Sequence, residues 1–255
     1  MRVEWLDCGY LTNVQNIPRS DKTIKKAFIP KLDAFMFLDY KAIEVRVLAY
    51  YLALSIDDST LAEEINNNLD PHLETAKGLF PGQAITDEMR NIGKTCNFSI
   101  IYGAGVPRLM EAFHLSYEEA RQLLNAYHEH RPGIRILQKK VKKTLTERGY
   151  IRTLWGRRLR PIEDHKALNA LIQGCSADLI RHSAHTVHHG LKPYRSHIVN
   201  LIHDEIMIDA TTDELEFLAT QVPEWMKDDT IQELVTIGVD CEVSYSTWAD
   251  KEDYV

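Results

Sequence analysis

A chain of 255 residues is long enough to bury a substantial core, either as one large domain or as two interleaved lobes. No run reaches the roughly 18 to 20 apolar residues that span a bilayer, and the N-terminus lacks the apolar stretch of a signal peptide, so a soluble cytoplasmic protein without a membrane partner is expected. The formal net charge of -7 argues against a phosphate-binding chain, yet the charge is uneven: Arg131 to Arg160 holds eleven Lys and Arg and a single acid, Glu147.

In chain order, the first thirty residues are turn-rich and close on Ala27-Phe28-Ile29-Pro30. Ala34-Phe35-Met36-Phe37-Leu38 is an apolar run of strand length, which puts Asp39 at a strand end, and Ile43, Val47, Leu48 and Leu52 then recur at helical spacing. Thr86 with Met89 opens a helix that Gly103 and Gly105 stop. Ser116 and Glu119 form a capping box before Ala120, Leu123, Leu124 and Tyr127, and Pro132-Gly133 breaks that helix. The next helix carries Ile134, Leu137, Val141 and Leu145, ends at Gly149, and holds most of the basic stretch on its remaining positions. Such a stretch suits a solvated helix face as well as a phosphate-contacting one.

A long helix from about His165 to His189, closed by Gly190, follows. Two apolar arms between Ile198 and Asp209 flank His203-Asp204-Glu205, which predicts a β-hairpin with the triplet at its tip and Asp204 at a strand end. A helix after Thr212 and an alternating Val239, Cys241, Val243, Tyr245 strand finish the pattern. Helices and strands mix without a βαβ rhythm, so the class is α+β. The scattered Cys8, Cys96, Cys175 and Cys241 form no C-x-x-C pair and no dense framework, and are expected to be reduced.

Two carboxylates at neighbouring strand ends, Asp39 and Asp204, can bridge a pair of Mg²⁺ ions that keep positions open for substrate phosphates. An aspartate after an apolar strand also suits a cap or turn. Arg90, Lys94, Phe98 and Tyr102 are spaced four apart and lie along one helix face, two cations and then two aromatics. That face suits a nucleotide, the cations on a triphosphate and the rings on sugar and base. A basic solvated edge with an aromatic core stripe is the competing reading.

The residues in this order resemble the family A DNA polymerases, the bacterial polymerase I type, along almost the whole chain. Asn13-Val-Gln-Asn-Ile-Pro18 is similar to the family's segment leading into the palm, Asp39-Tyr-Lys-Ala-Ile-Glu-Val-Arg46 to its motif A, Arg90 to Gly103 to its motif B on the fingers helix, and His203-Asp-Glu205 to its motif C. Gly149-Tyr-Ile-Arg-Thr-Leu-Trp-Gly-Arg-Arg158 and Asn169-Ala-Leu-Ile-Gln-Gly174 are further blocks in the family's order.

The resemblance implies an antiparallel polymerase palm with helical fingers, divided as 1–30 leading into the palm, 31–70 palm with motif A, 71–135 fingers and 136–255 palm with motif C. It implies Asp39, Asp204 and the Tyr40 carbonyl as ligands of two Mg²⁺ ions, for which Mn²⁺ can substitute, and Glu205 as an auxiliary carboxylate. Arg90, Lys94 and His72 are placed on the incoming dNTP, Lys94 also protonating the pyrophosphate, and Glu44 matches the steric gate against ribose. Arg46, Arg152, Arg157, Arg158, Asn169, Gln173 and His203 are placed on primer-template DNA, Asn169 and Gln173 reaching minor-groove acceptors common to all base pairs.

Lys41-Ala42 departs from the family's usual small-polar and Gln residues, and the Gly-Arg pair that precedes the Gln-Asn-Ile-Pro block in the family has no match around Cys8-Gly9-Tyr10. The family's thumb and exonuclease domain precede that block, so two expectations stand: a fragment cut at that boundary, or, favoured, a split polymerase whose separate polypeptide carries them and docks on an apolar surface within residues 1–30 that uses Trp5, Leu11 and Ile17. A single-subunit RNA polymerase and an inactive structural subunit are the alternatives. Glu44 and Asn97-Phe98 speak against the first, and the five residues Asp39, Asp204, Arg90, Lys94 and Tyr102 against the second.

Overall fold

The computed structural model describes Ile17 and residues 22–254. Its strands are β1 (Ala34–Tyr40), β2 (Ile151–Arg152), β3 (Arg158–Leu159), β4 (His197–Ile202), β5 (Glu205–Ala210), β6 (Val239–Ser244) and β7 (Glu252–Asp253). Its helices are α1 (Lys22–Lys25), α2 (Ile43–Ile56), α3 (Thr60–Asn66), α4 (Pro71–Leu79), α5 (Asp87–Ile101), α6 (Val106–Phe113), α7 (Tyr117–His130), α8 (Pro132–Arg148), α9 (Ala167–Gly190), α10 (Leu215–Trp225) and α11 (Asp229–Gln232). The contacts divide the described residues into two units, one of those up to 41, 180–227 and 238–254, the other of 42–179 and 228–237.

The first unit is built on an antiparallel five-stranded sheet of order β4-β5-β1-β6-β7. Its central strand β1 reads as an unbroken apolar run because it is covered on both sides. Helix α10 packs on β1 and β6, while Phe35, Phe37, Met207 and Trp248 form a cluster on which Ile17 and Ile202 close. Each such side chain contributes about 1.5–3 kcal/mol on burial. Ile17 is thus partly buried against this cluster; Trp5 and Leu11 lie outside the described residues.

The second unit is helical. Asp70 caps α4 ahead of Pro71, Thr86 caps α5 by accepting from Met89 N, and Ser116 and Glu119 make the expected capping box on α7. Helix α8 ends on Gly149 at φ 72, a left-handed position that glycine adopts without strain. The long helix α9 begins two residues later than expected, because Asp164–Lys166 winds as a 3₁₀ turn, and Gly190 is its last residue. The division at 31, 71 and 136 does not follow the packing: α2 packs on α8, and α4 on α5 and α7, which draws 42–179 into one unit. Among the described residues no helix is long and apolar enough to cross a membrane.

Candidate active site

One end of the sheet gathers carboxylates. Asp39 is paired in register with Glu205 on β5 and with Asp240 on β6. The turn from β4 to β5 passes through His203, left-handed at φ 55, and Asp204, whose carbonyl accepts from Tyr40 N at 3.3 Å. Asp39, near the end of β1, thus stands beside the β4–β5 turn that holds Asp204. Together with His203, Glu205, Glu242, Lys251 and the α1 residues Lys22 and Lys25 they line a cleft of about 440 Å³.

Two hard carboxylates at one cleft fit cations of the Mg²⁺ kind, which take one or two protein carboxylates and leave the remaining positions to water and phosphate. Among the described residues no group of three or more His, Cys, Asp or Glu is placed to hold a metal ion. The Tyr40 hydroxyl is anchored internally on Ser183 Oγ at 2.5 Å and on the Met226 carbonyl, so only its backbone can serve as a ligand.

Glu205 differs from its expected place at the hairpin tip. It opens β5, is buried, and is ion-paired with Lys251, which also reaches Glu242 at 3.1 Å and lies 4.0 Å from the centre of the Phe37 ring. Burial pushes its carboxyl up, while the Lys251 ammonium draws it back. Lys251 had no signal in the sequence beyond being a basic residue just after the last strand pattern, and Lys22 and Lys25 were hidden in a turn-rich segment.

The helix α5 in the other unit carries the expected face. Arg90 Nε donates to Asp70 Oδ2 at 2.5 Å, Lys94 is exposed, the Phe98 ring lies 5.5 Å from that of His72 and 6.2 Å from that of Tyr102, and the Tyr102 hydroxyl donates to Glu44. Burial works against the Asp70 carboxylate, but Arg90 and the amides of His72 and Leu73 outweigh it and hold it below the usual range. Asp70 is thus both helix cap and partner of Arg90, a pairing that the sequence did not disclose. Arg46 donates to the Thr236 carbonyl.

Helices α4 and α5 approach closely at Gly93, where an added Cβ would lie 2.4 Å from the His72 carbonyl oxygen and 3.0 Å from Ala76 N. Backbone atoms cannot swing aside, so Gly93→Ala is expected to force the helices apart at a cost of about 1–3 kcal/mol. A thermal melt at the wild-type value would contradict the close packing.

The basic stretch divides. Arg131 is buried, Arg157 bonds Asp178 and the Gly174 carbonyl at 2.7 Å each, and Lys140 Nζ reaches the Ser55 carbonyl at 2.5 Å. Arg152 and Arg158 lie over the Tyr150 ring at 5.3 and 4.8 Å, and all three are exposed or half-exposed. Asn169 is half-buried with no partner for Oδ1, and Gln173, one turn on, is exposed.

A family model described as DNA polymerase family A matches residues 11–250. The chain is 31% identical over 262 residues to DNA polymerase I of Bacillus caldotenax, covering 93% of this chain and 29% of that protein. It is 32% identical over 238 residues to the thermostable DNA polymerase I of Thermus filiformis, covering 85% and 28%. Among solved structures it is similar to the POL domain of Pol1 from M. smegmatis in complex with DNA primer-template and dNTP, with a TM-score of 0.83, 28% identity, and coverage of 93% of this chain and 44% of that one. The chain spans less than a third of the length of these two curated relatives. Matched from residue 11 to residue 250, the chain belongs to DNA polymerase family A.

Proposed function

We propose that this chain carries the nucleotidyl-transfer site of a template-directed DNA polymerase, which adds deoxynucleotides to a primer 3′ end. The observation that carries the reading is the placement of Asp39, on β1, and Asp204, in the adjoining β4–β5 turn, at one cleft, in a chain of family A. Two Mg²⁺ ions, or Mn²⁺ in their place, would activate the primer hydroxyl and neutralise the departing pyrophosphate. Asp39, Asp204 and the Tyr40 carbonyl hold them, with Glu205 in support.

Arg90, Lys94 and His72 take the triphosphate. Arg90 exchanges Asp70 for phosphate oxygens, a swap of one charge-assisted partner for another. Lys94, exposed and ammonium-bearing, gives its proton to the leaving pyrophosphate. Tyr102 holds Glu44 by its hydroxyl, which fixes the carboxylate as a wall against a ribose 2′ hydroxyl. Asn169 and Gln173 meet the minor groove, and Arg46, Arg152, Arg157, Arg158 and His203 meet primer and template. With Arg131 buried on Glu64, the stretch offers fewer phosphate contacts than its composition implies. A further duplex-gripping surface, on this polypeptide or another, completes the reading.

Primer extension by this chain with Mg²⁺ and either dNTPs or rNTPs tests it. Elongation with dNTPs supports the reading; elongation with rNTPs alone favours the RNA polymerase, and none with either, even with the other proteins of its source added, favours the structural subunit.

Phe98 and Glu44 give a finer expectation. Phe98→Tyr places a hydroxyl where the 3′ oxygen of a chain terminator is missing, and should raise use of dideoxynucleotides over deoxynucleotides on the order of 10- to 200-fold, the range for one such contact. Glu44→Ala removes the wall and should raise ribonucleotide use over a similar range. Competition assays that leave both ratios unchanged would remove these two side chains from the sugar site.

A further inference from the structure

Asn97 sits on α5 between Cys96 and Phe98 and is 4% exposed, an amide in a helix core that must find partners. Its Nδ2 donates to the Pro71 carbonyl at 3.3 Å, and its Oδ1 accepts from the buried Tyr127 hydroxyl at 3.0 Å. A carbonyl only accepts, so the amide nitrogen must face Pro71. That same nitrogen lies 3.1 Å from His72 Nδ1 and 3.0 Å from Thr75 Oγ1. Thr75 Oγ1 in turn donates to the Pro71 carbonyl at 2.8 Å and accepts from Arg131 Nε at 3.0 Å, and Arg131 is held by Glu64.

An amide nitrogen has no lone pair to give. Its two hydrogens are shared among Thr75 Oγ1, His72 Nδ1 and the Pro71 carbonyl, and only a bare Nδ1 can take a share, which leaves the imidazole proton on Nε2. We propose that Asn97 is a positioning residue for nucleotide binding, whose amide fixes His72 as the Nε2–H tautomer so that the ring offers a phosphate oxygen a donor and not a lone pair. This rests on the reading of His72 as a triphosphate ligand. A neutral imidazole has one donor, and which nitrogen bears it decides whether an anion is attracted or repelled.

The surroundings keep the ring neutral. Burial disfavours the imidazolium most; Asp70, ahead of α4, favours it, and Arg90 and Lys94 on α5 and Arg131 before α8 oppose it. The ring is also packed 5.5 Å from that of Phe98, so it has little freedom to flip and exchange its nitrogens.

The test reads the tautomer and the kinetics separately. In the whole chain with ¹⁵N-labelled histidine, with the His72 signals assigned by their loss in His72→Gln, the wild type should show a protonated Nε2 and a bare Nδ1. A dNTP titration should move the Nε2 signal. Asn97→Asp turns the donor into an acceptor, so the proton should move to Nδ1 or the ring should charge, and the KM for dNTP should change about 10- to 100-fold with kcat less affected. In a His72→Gln background Asn97→Asp should add little, as the two act through one contact. Tyr127→Phe, which removes a bond to Oδ1 but not the Nδ2 contact, should lower stability and leave the tautomer unchanged.

A wild-type spectrum with the proton on Nδ1, or an Nε2 signal that ignores dNTP, would overturn the proposal, and needs only the assignment variant besides the wild type. A moved proton with an unmoved KM would overturn it too. The spectrum is read without turnover, so a correct tautomer in a chain that extends no primer would instead count against the polymerase reading.

Discussion

Asp39→Ala or Asp204→Ala is expected to lower nucleotide addition by at least ~10³-fold, the several kcal/mol that cation-assisted charge stabilisation supplies, while the fold stays intact or gains slightly in stability. The two halves of that expectation share one cause. Asp39 faces Glu205 on one side and Asp240 on the other, so like charges oppose one another across both ladders, an arrangement that destabilises a sheet. Lys251 on Glu205 and Glu242, and Lys41 on Asp240 at 2.6 Å, offset part of this repulsion. Removing Asp39 relieves more of it, and removing either aspartate takes away an oxygen ligand of the proposed cations. Glu205→Ala should be milder, since its carboxylate is buried and answers to Lys251. Single-turnover extension, Mg²⁺ binding by calorimetry and a thermal melt check the three parts; near-wild-type extension by either aspartate variant would remove the central assignment.

How much of this was legible in the sequence depends on whether a feature is local. The strand Ala34–Tyr40 reads directly from its apolar run, and the helix from Asp87 with its Arg90, Lys94, Phe98, Tyr102 face reads from spacing alone. The hairpin around Asp204 is signalled by two apolar arms, though the pattern could not say that Glu205 belongs to the strand and points inward to a lysine 46 positions away. Asp70 looks like a helix cap and is one, but its second task, holding Arg90 twenty positions on, is a matter of how α4 meets α5. The same holds for Asn97, which the sequence offered only as part of a family block and whose five-membered network draws on α4, α5 and α7.

Arg131 marks the limit of composition as a guide. It opens the most basic stretch of the chain and reads there as a solvated or phosphate-bound cation. Instead it is 5% exposed, and its guanidinium meets both oxygens of Glu64 at 3.2 and 2.8 Å. Charge density along the sequence says nothing of which member of a run turns inward.

Arg131→Leu is expected to destabilise the second unit by about 3–5 kcal/mol, the cost of breaking a buried ion pair by removing one partner. A surface pair would be worth under about 1 kcal/mol, but the Glu64 side chain is only 13% exposed and cannot recover its solvation once the guanidinium is gone. Thr75 Oγ1 and the Pro71 carbonyl lose a donor in the same stroke, at 3.0 and 3.3 Å. The pair Glu64→Leu with Arg131→Met should cost much less than the single change, because it withdraws both charges and fills the space with apolar groups. Urea unfolding of the two variants, compared at equal m-values, measures the difference. If Arg131→Leu lost less than about 1 kcal/mol, or the double variant lost as much as the single, the pair would be behaving as a solvent-screened contact and the network that holds Asn97 and His72 would lack the rigid base it needs.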